Sequence, residues 1–294
     1  MSIKLAVALP VFNGSKYLTE QLDSILKQKS VQVDVFIKDD ASSDNSPKLI
    51  DSYKSIHKNI TVIKSVNRSG SASYAFFDIL EKIPVSNYDY ISLSDQDDIW
   101  ELEKLDRAVS TLINTNTDCY SSNVTAFWPS GNEVIIKKNQ PQQKYDYMFE
   151  AAGPGCTYIF NNRVALDLQS FLIMNSSSLS DIRHHDWFIY AFARTRGYKW
   201  IIDEISSLKY RQHKFNDLGV NLGIRAIIKR LSLIKDYKYA NQIWSQAKCL
   251  GYEDQLKSLM RNPMNFRYYR RRKRDRFILF LISLFGYLRS RENL

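Results

Sequence analysis

Apolar and polar positions alternate between two periods over the first hundred residues. Leu5 to Leu9 is continuously apolar, the pattern of a strand buried on both faces. Ser15 to Gln28 places Tyr17, Leu18, Leu22, Ile25 and Leu26 at helical spacing. Val31 to Ile37 returns to strand chemistry and ends at Asp39-Asp40, followed by the turn-forming run Ala41 to Ser46 and by Pro47, which suits a first helical turn. Ile60 to Ile63 reads as a third strand, Tyr74 to Ile83 as a helix and Tyr90 to Leu93 as a fourth strand. This succession predicts an α/β fold with a mostly parallel sheet and right-handed crossovers.

The second half is less regular. Gly153 to Thr157 reads as a tight loop before a strand from Tyr158 to Phe160. Ser176 to Ser180 is a polar linker, Asp186 to Ala193 a helix and Lys199 to Ile202 a strand, and from Ile224 the pattern is helical to the end. A helical extension over 219–294 therefore follows a sheet-bearing domain over 1–218, itself divided near residue 100 into two halves.

Ligands of such a sheet sit beyond the carboxyl ends of its strands. Those ends carry Pro10 to Asn13, Asp39-Asp40 and Asp95 to Asp98. The first turn, Pro10-Val11-Phe12-Asn13-Gly14, lacks the Gly-x-Gly-x-x-Gly of nicotinamide-binding folds. Cys119, Cys156 and Cys249 are too scattered for a disulfide or zinc framework and suit a reducing, cytoplasmic setting. The N-terminal apolar run is too short for a signal peptide and ends at Pro10. Of the net charge of +10, the stretch from Arg261 to Leu294 carries +8, so the basicity belongs to a tail and argues against a nucleic-acid partner.

Five passages in order resemble the family 2 glycosyltransferases, inverting enzymes with a GT-A fold. They are Leu9-Pro10-Val11-Phe12-Asn13-Gly14, Lys38-Asp39-Asp40-Ala41-Ser42-Ser43-Asp44, Ser94-Asp95-Gln96-Asp97-Asp98-Ile99-Trp100, His185-Asp186-Trp187 and Tyr210-Arg211-Gln212-His213. The third and fifth are similar to the bacterial rhamnosyltransferase-like branch that builds surface polysaccharides. The resemblance covers roughly residues 3 to 215. It implies a catalytic domain over 1–218 with a nucleotide-sugar-binding half over 1–100 and an acceptor half over 101–218, a nucleoside diphosphate sugar donor, dTDP- or UDP-linked, and a Mg2+ or Mn2+ cofactor.

The residue chemistry is compatible with that implication. Asp95-Gln96-Asp97 fits an Asp-x-Asp element, and alternation along an extended segment would place Asp95 and Asp97 on one side. By resemblance Asp97 binds the metal, Asp95 lies near ribose or metal, and Asp98 supports them; the competing reading is a solvated acidic turn. Asp40 matches the family position that accepts the N3–H of uracil or thymine, with Asp39 holding loop or ribose. Phe12 stacks on the pyrimidine or belongs to the core. Arg68 neutralises diphosphate or is an exposed loop arginine. Pro10 and Asn13 complete the donor-binding set.

Asp186 is the candidate general base, against a helix-terminal acid that merely complements the dipole; Trp187 would give an apolar wall that raises its basicity, or a sugar-stacking face. The match makes His213 a third metal ligand or a diphosphate contact, and Arg211 a bidentate phosphate contact. Gly153 to Gly155 either shapes the acceptor side or is an ordinary turn.

Arg267 to Arg276 holds seven basic residues, and the apolar run Phe277 to Leu288 is too short to span a bilayer. This order fits a peripheral contact with the anionic inner face of the cell membrane and a lipid-linked glycan acceptor. The alternative is a helix packed on the catalytic domain or on a second copy. The competing functions are a UDP-hexose-dependent transferase of the same fold and a non-catalytic nucleotide-binding partner of a transferase.

Overall fold

The computed structural model describes residues 2–63, 69–213 and 238–284. Strand β1 (Ile3–Val11) is the sheet's centre. It pairs in parallel with β2 (Val31–Asp39) on one side and β4 (Tyr90–Leu93) on the other, and β3 (Ile60–Val62) extends β2 in parallel. Its alternation explains why both faces are apolar. Leu5, Val7, Leu9 and Val11 pack against Leu18, Leu22 and Ile25 of α1 (Leu18–Leu26), whereas Ala6 and Ala8 face Phe76 and Leu80 of α3 (Ala72–Lys82). Between them α2 (Ser46–Ile56) begins with Pro47 in its first turn, and Ser71 caps α3 by accepting the Tyr74 N–H at 3.3 Å.

Helix α1 starts three residues later than the apolar spacing suggests. The N–H groups of Tyr17 and Leu18 are drawn back to the Gly14 carbonyl, so Ser15 to Tyr17 forms a turn at the strand end instead.

After the short strand β5 (Ile99–Trp100) and α4 (Lys104–Thr115), the chain adds β6 (Cys119–Ser122), β7 (Val124–Phe127), β8 (Glu133–Ile136) and β9 (Ile159–Asn161). Helix α5 (Asn162–Met174), α6 (His185–Thr195), β10 (Trp200–Asp203) and β11 (Leu208–Arg211) complete this part. The large sheet runs β10-β6-β9-β4-β1-β2-β3, with β9 antiparallel to both neighbours, and a second sheet runs β5-β11-β7-β8. That second sheet has no counterpart in the sequence expectation: two-to-four-residue strands carry too little alternation to be read. Its β5–β11 pairing joins the segment after the acidic turn to the segment before His213.

The described part of the C-terminal extension shares its core with the sheet-bearing part. Helices α7 (Lys238–Leu250), α8 (Glu253–Arg261) and α9 (Lys273–Leu284) bring Ile243, Ala247, Leu256, Leu259 and Leu279 into one apolar cluster with Phe188 and Tyr190 of α6. Tyr239 stacks on Trp187, and Gln242 Oε1 accepts the N–H groups of Arg183 (2.9 Å) and His184 (3.3 Å), directly before Asp186.

Within the basic cluster, Arg271 is buried and pairs with the fully buried Asp146 at 3.4 Å and with Glu150 at 3.5 Å. Arg194 also reaches Asp146, at 3.2 Å. Arg271→Met is therefore expected to cost about 3 kcal/mol, because Asp146 keeps only one of its cations in a dry site. A lowered urea midpoint at unchanged slope measures this, and a change below about 0.5 kcal/mol would show the latch to be ornamental.

Candidate active site

Three strand ends converge. Beyond β1, Gln96 Oε1 accepts the Phe12 N–H at 2.8 Å and its Nε2 donates to the Phe12 carbonyl at 3.0 Å. Gly14 permits this approach, since a Cβ there would stand 2.4 Å from Gln96 Oε1. Pro10 is the penultimate residue of β1, and Phe12 is exposed just past it, outside the core. Asn13 adopts φ 49°, a conformation Asn tolerates, and its Oδ1 accepts the Ser43 N–H at 2.8 Å. The first and second strand-end loops are thereby tied together.

Asp40 is buried and its carboxylate accepts the N–H groups of Ser69 (2.5 Å) and Gly70 (3.3 Å). The buried ammonium of Lys38 stands 3.6 Å from Asp40 and 3.0 Å from Asp78. Asp39 Oδ2 accepts the Ser42 N–H at 3.2 Å, while its buried Oδ1 has no hydrogen-bond partner among the described residues. A polar atom left so at a strand end is suited to a donor's hydroxyl or N–H. Arg68 lies outside the described residues.

The acidic turn corrects the expectation of simple alternation. Residues 94–98 bend instead of running extended, so Asp95 and Asp97 part company. Asp95 groups with Asp98 and Cys156, whose ligand atoms lie within 4.8 Å of one another. Asp97 instead turns to His213, with Oδ2 and Nε2 2.6 Å apart. The two side chains come from segments 116 positions apart, joined by the β5–β11 pairing.

A carboxylate oxygen and an imidazole nitrogen converging in a half-buried place fit a divalent cation. Cys156 fits a hard cation poorly, and burial, followed by the Asp98 and Asp95 charges, pushes its thiol well up. Asp98 is fully buried and accepts the Arg211 N–H at 3.1 Å; burial, then Asp95 and Asp97, hold its carboxyl well above the usual range. Beneath it, burial pushes the Lys104 ammonium down to about 7, 3.7 Å over the Trp100 ring.

Arg211 does not point out as a phosphate fork. Its Nε donates to the Asp97 carbonyl at 2.8 Å, its Nη2 pairs with Glu20, and its guanidinium lies between the Tyr17 and Phe127 rings at 4.6 and 4.7 Å. The side chain thus braces the acidic turn.

Asp186 sits in the first turn of α6, its Oδ1 accepting the Trp187 N–H at 2.8 Å. Trp187 offers no exposed face for a sugar to stack on: it is buried, and its Nε1–H is donated to the Tyr147 carbonyl at 2.8 Å. Gly155 closes against this turn, where a Cβ would lie 2.5 Å from His185 Nε2 and 3.3 Å from Asp186 Cβ. The glycine-bearing loop and the candidate base are therefore one unit.

Residues 6–164 match the profile of Glycosyl transferase family 2. The chain belongs to that family. The dTDP-rhamnosyl transferase RfbG of Shigella flexneri is 38% identical over 285 residues, spanning 94% of this chain and 99% of the relative. S. aureus TarS 1–349 in complex with UDP superposes with a TM-score of 0.55 at 17% identity, over 86% of this chain and 69% of that one. Mannosyltransferase PcManGT from Pyrobaculum calidifontis in complex with GDP-Man and Mn2+ gives 0.50 at 14% identity, over 97% and 84%. The two likenesses show the fold, GT-A, as the five motifs imply. The protein is a glycosyltransferase.

For this family 2 enzyme, the motifs do not disclose Gln96, Lys38 or Arg211's bracing role. Gln96 lies between two carboxylates of a metal-binding pattern, and the sequence signal for its clamp is the small Gly14. Lys38 was hidden within a strand, where a lysine is ordinarily solvent-facing.

Proposed function

We propose that this glycosyltransferase inverts the anomeric centre while transferring rhamnose from dTDP-rhamnose to a hydroxyl of a lipid-linked surface polysaccharide precursor. The observation that carries the reading is the meeting of Asp97 with His213 at the sheet edge where Asp39 and Asp40 also stand. The full-length likeness to a dTDP-rhamnosyl transferase supports the donor.

Asp40, with Asp39, recognises the pyrimidine and ribose from the end of β2, and Phe12 offers an exposed ring beside them. Asp97 and His213 would hold Mg2+ or Mn2+, with Asp95 near it; Mn2+ accompanies the donor in the PcManGT complex. When bound, the cation supplies positive charge to the departing diphosphate. Arg211 holds the acidic turn in place, and Asp186 takes the acceptor proton as the sugar bond breaks.

Membrane contact is supported by the outward face of the tail. Arg270, Arg271 and Arg276 are engaged within the fold, whereas Arg267, Lys273 and Arg274 are exposed together with Tyr268, Phe277 and Ile278. Basic and apolar groups so mixed suit an anionic interface. Among the described residues no helix is long and apolar enough to cross a membrane.

The donor reading is tested by thermal stabilisation. With Mn2+ present, dTDP-rhamnose at 100 times its Kd is expected to add about 2.7 kcal/mol of stability. Asp40→Ala should weaken UDP and dTDP alike by roughly tenfold, since both present N3–H. Stabilisation by GDP-sugars in preference to both would overturn the pyrimidine assignment.

A further inference from the structure

Near Asp186 are two cations, Lys138 and Arg272, that form no ion pair with a carboxylate among the described residues. Lys138 follows β8, and its backbone N–H is fixed by the buried Asn123, whose Oδ1 accepts it at 2.5 Å. Arg272 lies in the turn before α9 and gives its Nη2 to the Lys137 carbonyl. Both are half-buried. The other cations of this corner are matched: Arg271 by Asp146 and Glu150, Arg270 by Glu150, Arg194 by Asp146.

The loop of Gly153 to Gly155 joins these cations to the candidate base. At Gly153 a Cβ would meet Lys138 Cβ and Cγ at 3.6 Å, and two residues on Gly155 abuts Asp186. Lys138 is within electrostatic reach of Arg271, Arg272, Glu150 and Asp186, and burial followed by the two arginines pushes its ammonium down to about 8. An ammonium disfavoured in this way gains more than an exposed one from a bound anion.

We propose that Lys138 and Arg272 form an anion-binding subsite beside Asp186 for a phosphoester group of the acceptor. A planar guanidinium fork with a point-charged ammonium is a donor pair that suits phosphate oxygens. Position favours the same ligand. In the chain Arg272 falls between the exposed Arg267 and the exposed Lys273 and Phe277 of the tail's outer face, while its guanidinium reaches the Lys137 carbonyl, next to Lys138. A phosphoester whose apolar end rests on that outer face would present its sugar toward Asp186. The subsite rests on the glycosyl-transfer reading and names the chemistry of its acceptor.

Binding to the full-length chain in metal-free buffer tests this, because the donor site then has no cation to attract a diphosphate. The probes are undecyl diphosphate and the uncharged undecyl maltoside, each below its aggregation threshold. The wild type is expected to bind the diphosphate at least ~10-fold more tightly. Lys138→Gln with Arg272→Gln should bring the two probes to parity while UDP with Mn2+ binds as before. No preference in the wild type, or a preference kept by the double variant, overturns the subsite. So does a preference that disappears only with Arg267→Gln, Lys273→Gln and Arg274→Gln, since the anion would then sit on the outer face as a lipid headgroup does. Failure of UDP with Mn2+ to bind either protein would sink the donor reading, and the diphosphate comparison would still judge the subsite.

Discussion

Asp97→Asn is expected to lower kcat by at least ~10³-fold and to erase the dependence of donor binding on a divalent cation. The substitution keeps the shape of the side chain and leaves an amide to meet His213, 2.6 Å away, so the acidic turn should persist. What it removes is charge, at the place where the proposed cation and the leaving diphosphate need it. Two measurements separate this from unfolding. The melting temperature of the free variant should stay within a few degrees of the parent, and UDP should no longer stabilise it more with Mn2+ than without. Asp98→Asn is the contrast. Asp98 is buried, bonded to the Arg211 N–H and set beside Lys104, so its substitution should act chiefly on stability. Near-wild-type turnover in Asp97→Asn would remove Asp97 from the mechanism.

The first hundred residues were legible because their elements are long or fully apolar. The run Leu5 to Leu9 is buried on both faces, and Tyr90 to Leu93 is the β4 strand. The acidic turn was legible as chemistry and misread as geometry. Alternation presumes an extended chain, but Asp98 is pulled inward to the Arg211 N–H and over Lys104, which bends the segment and sends Asp97 toward His213. A guanidinium in a motif suggests a phosphate contact for Arg211. Nothing local to Tyr210-Arg211-Gln212-His213 reveals Glu20, 191 positions earlier, as its partner. The tail shows the same limit. Its basic residues look alike in sequence, yet burial divides them into Arg271, locked to Asp146, and Arg267 or Arg274, turned outward. Position along the chain does not tell which arginine meets a carboxylate contributed by a segment far away.

The remaining large effect concerns Asp186. Asp186→Asn is expected to reduce kcat by ~10³-fold, within the range found for loss of a general acid or base, while the KM for donor stays close to that of the parent. The position supports this separation. Asp186 stands at the start of α6 against Gly155, on a different element from Asp39, Asp40, Asp97 and His213. Its Oδ1 is engaged by the Trp187 N–H, which an asparagine oxygen can also accept, so the helix start should survive the change. The competing role is electrostatic support of the helix N-terminus, worth about 0.3–1 kcal/mol. That role predicts the opposite pattern, a melting temperature lowered by a few degrees with kcat intact. The two readings therefore differ in which quantity moves, and one preparation decides between them when turnover and thermal unfolding are measured together. Loss of donor affinity alongside substantial turnover would make Asp186 a binding residue and leave the proton without an acceptor in this site.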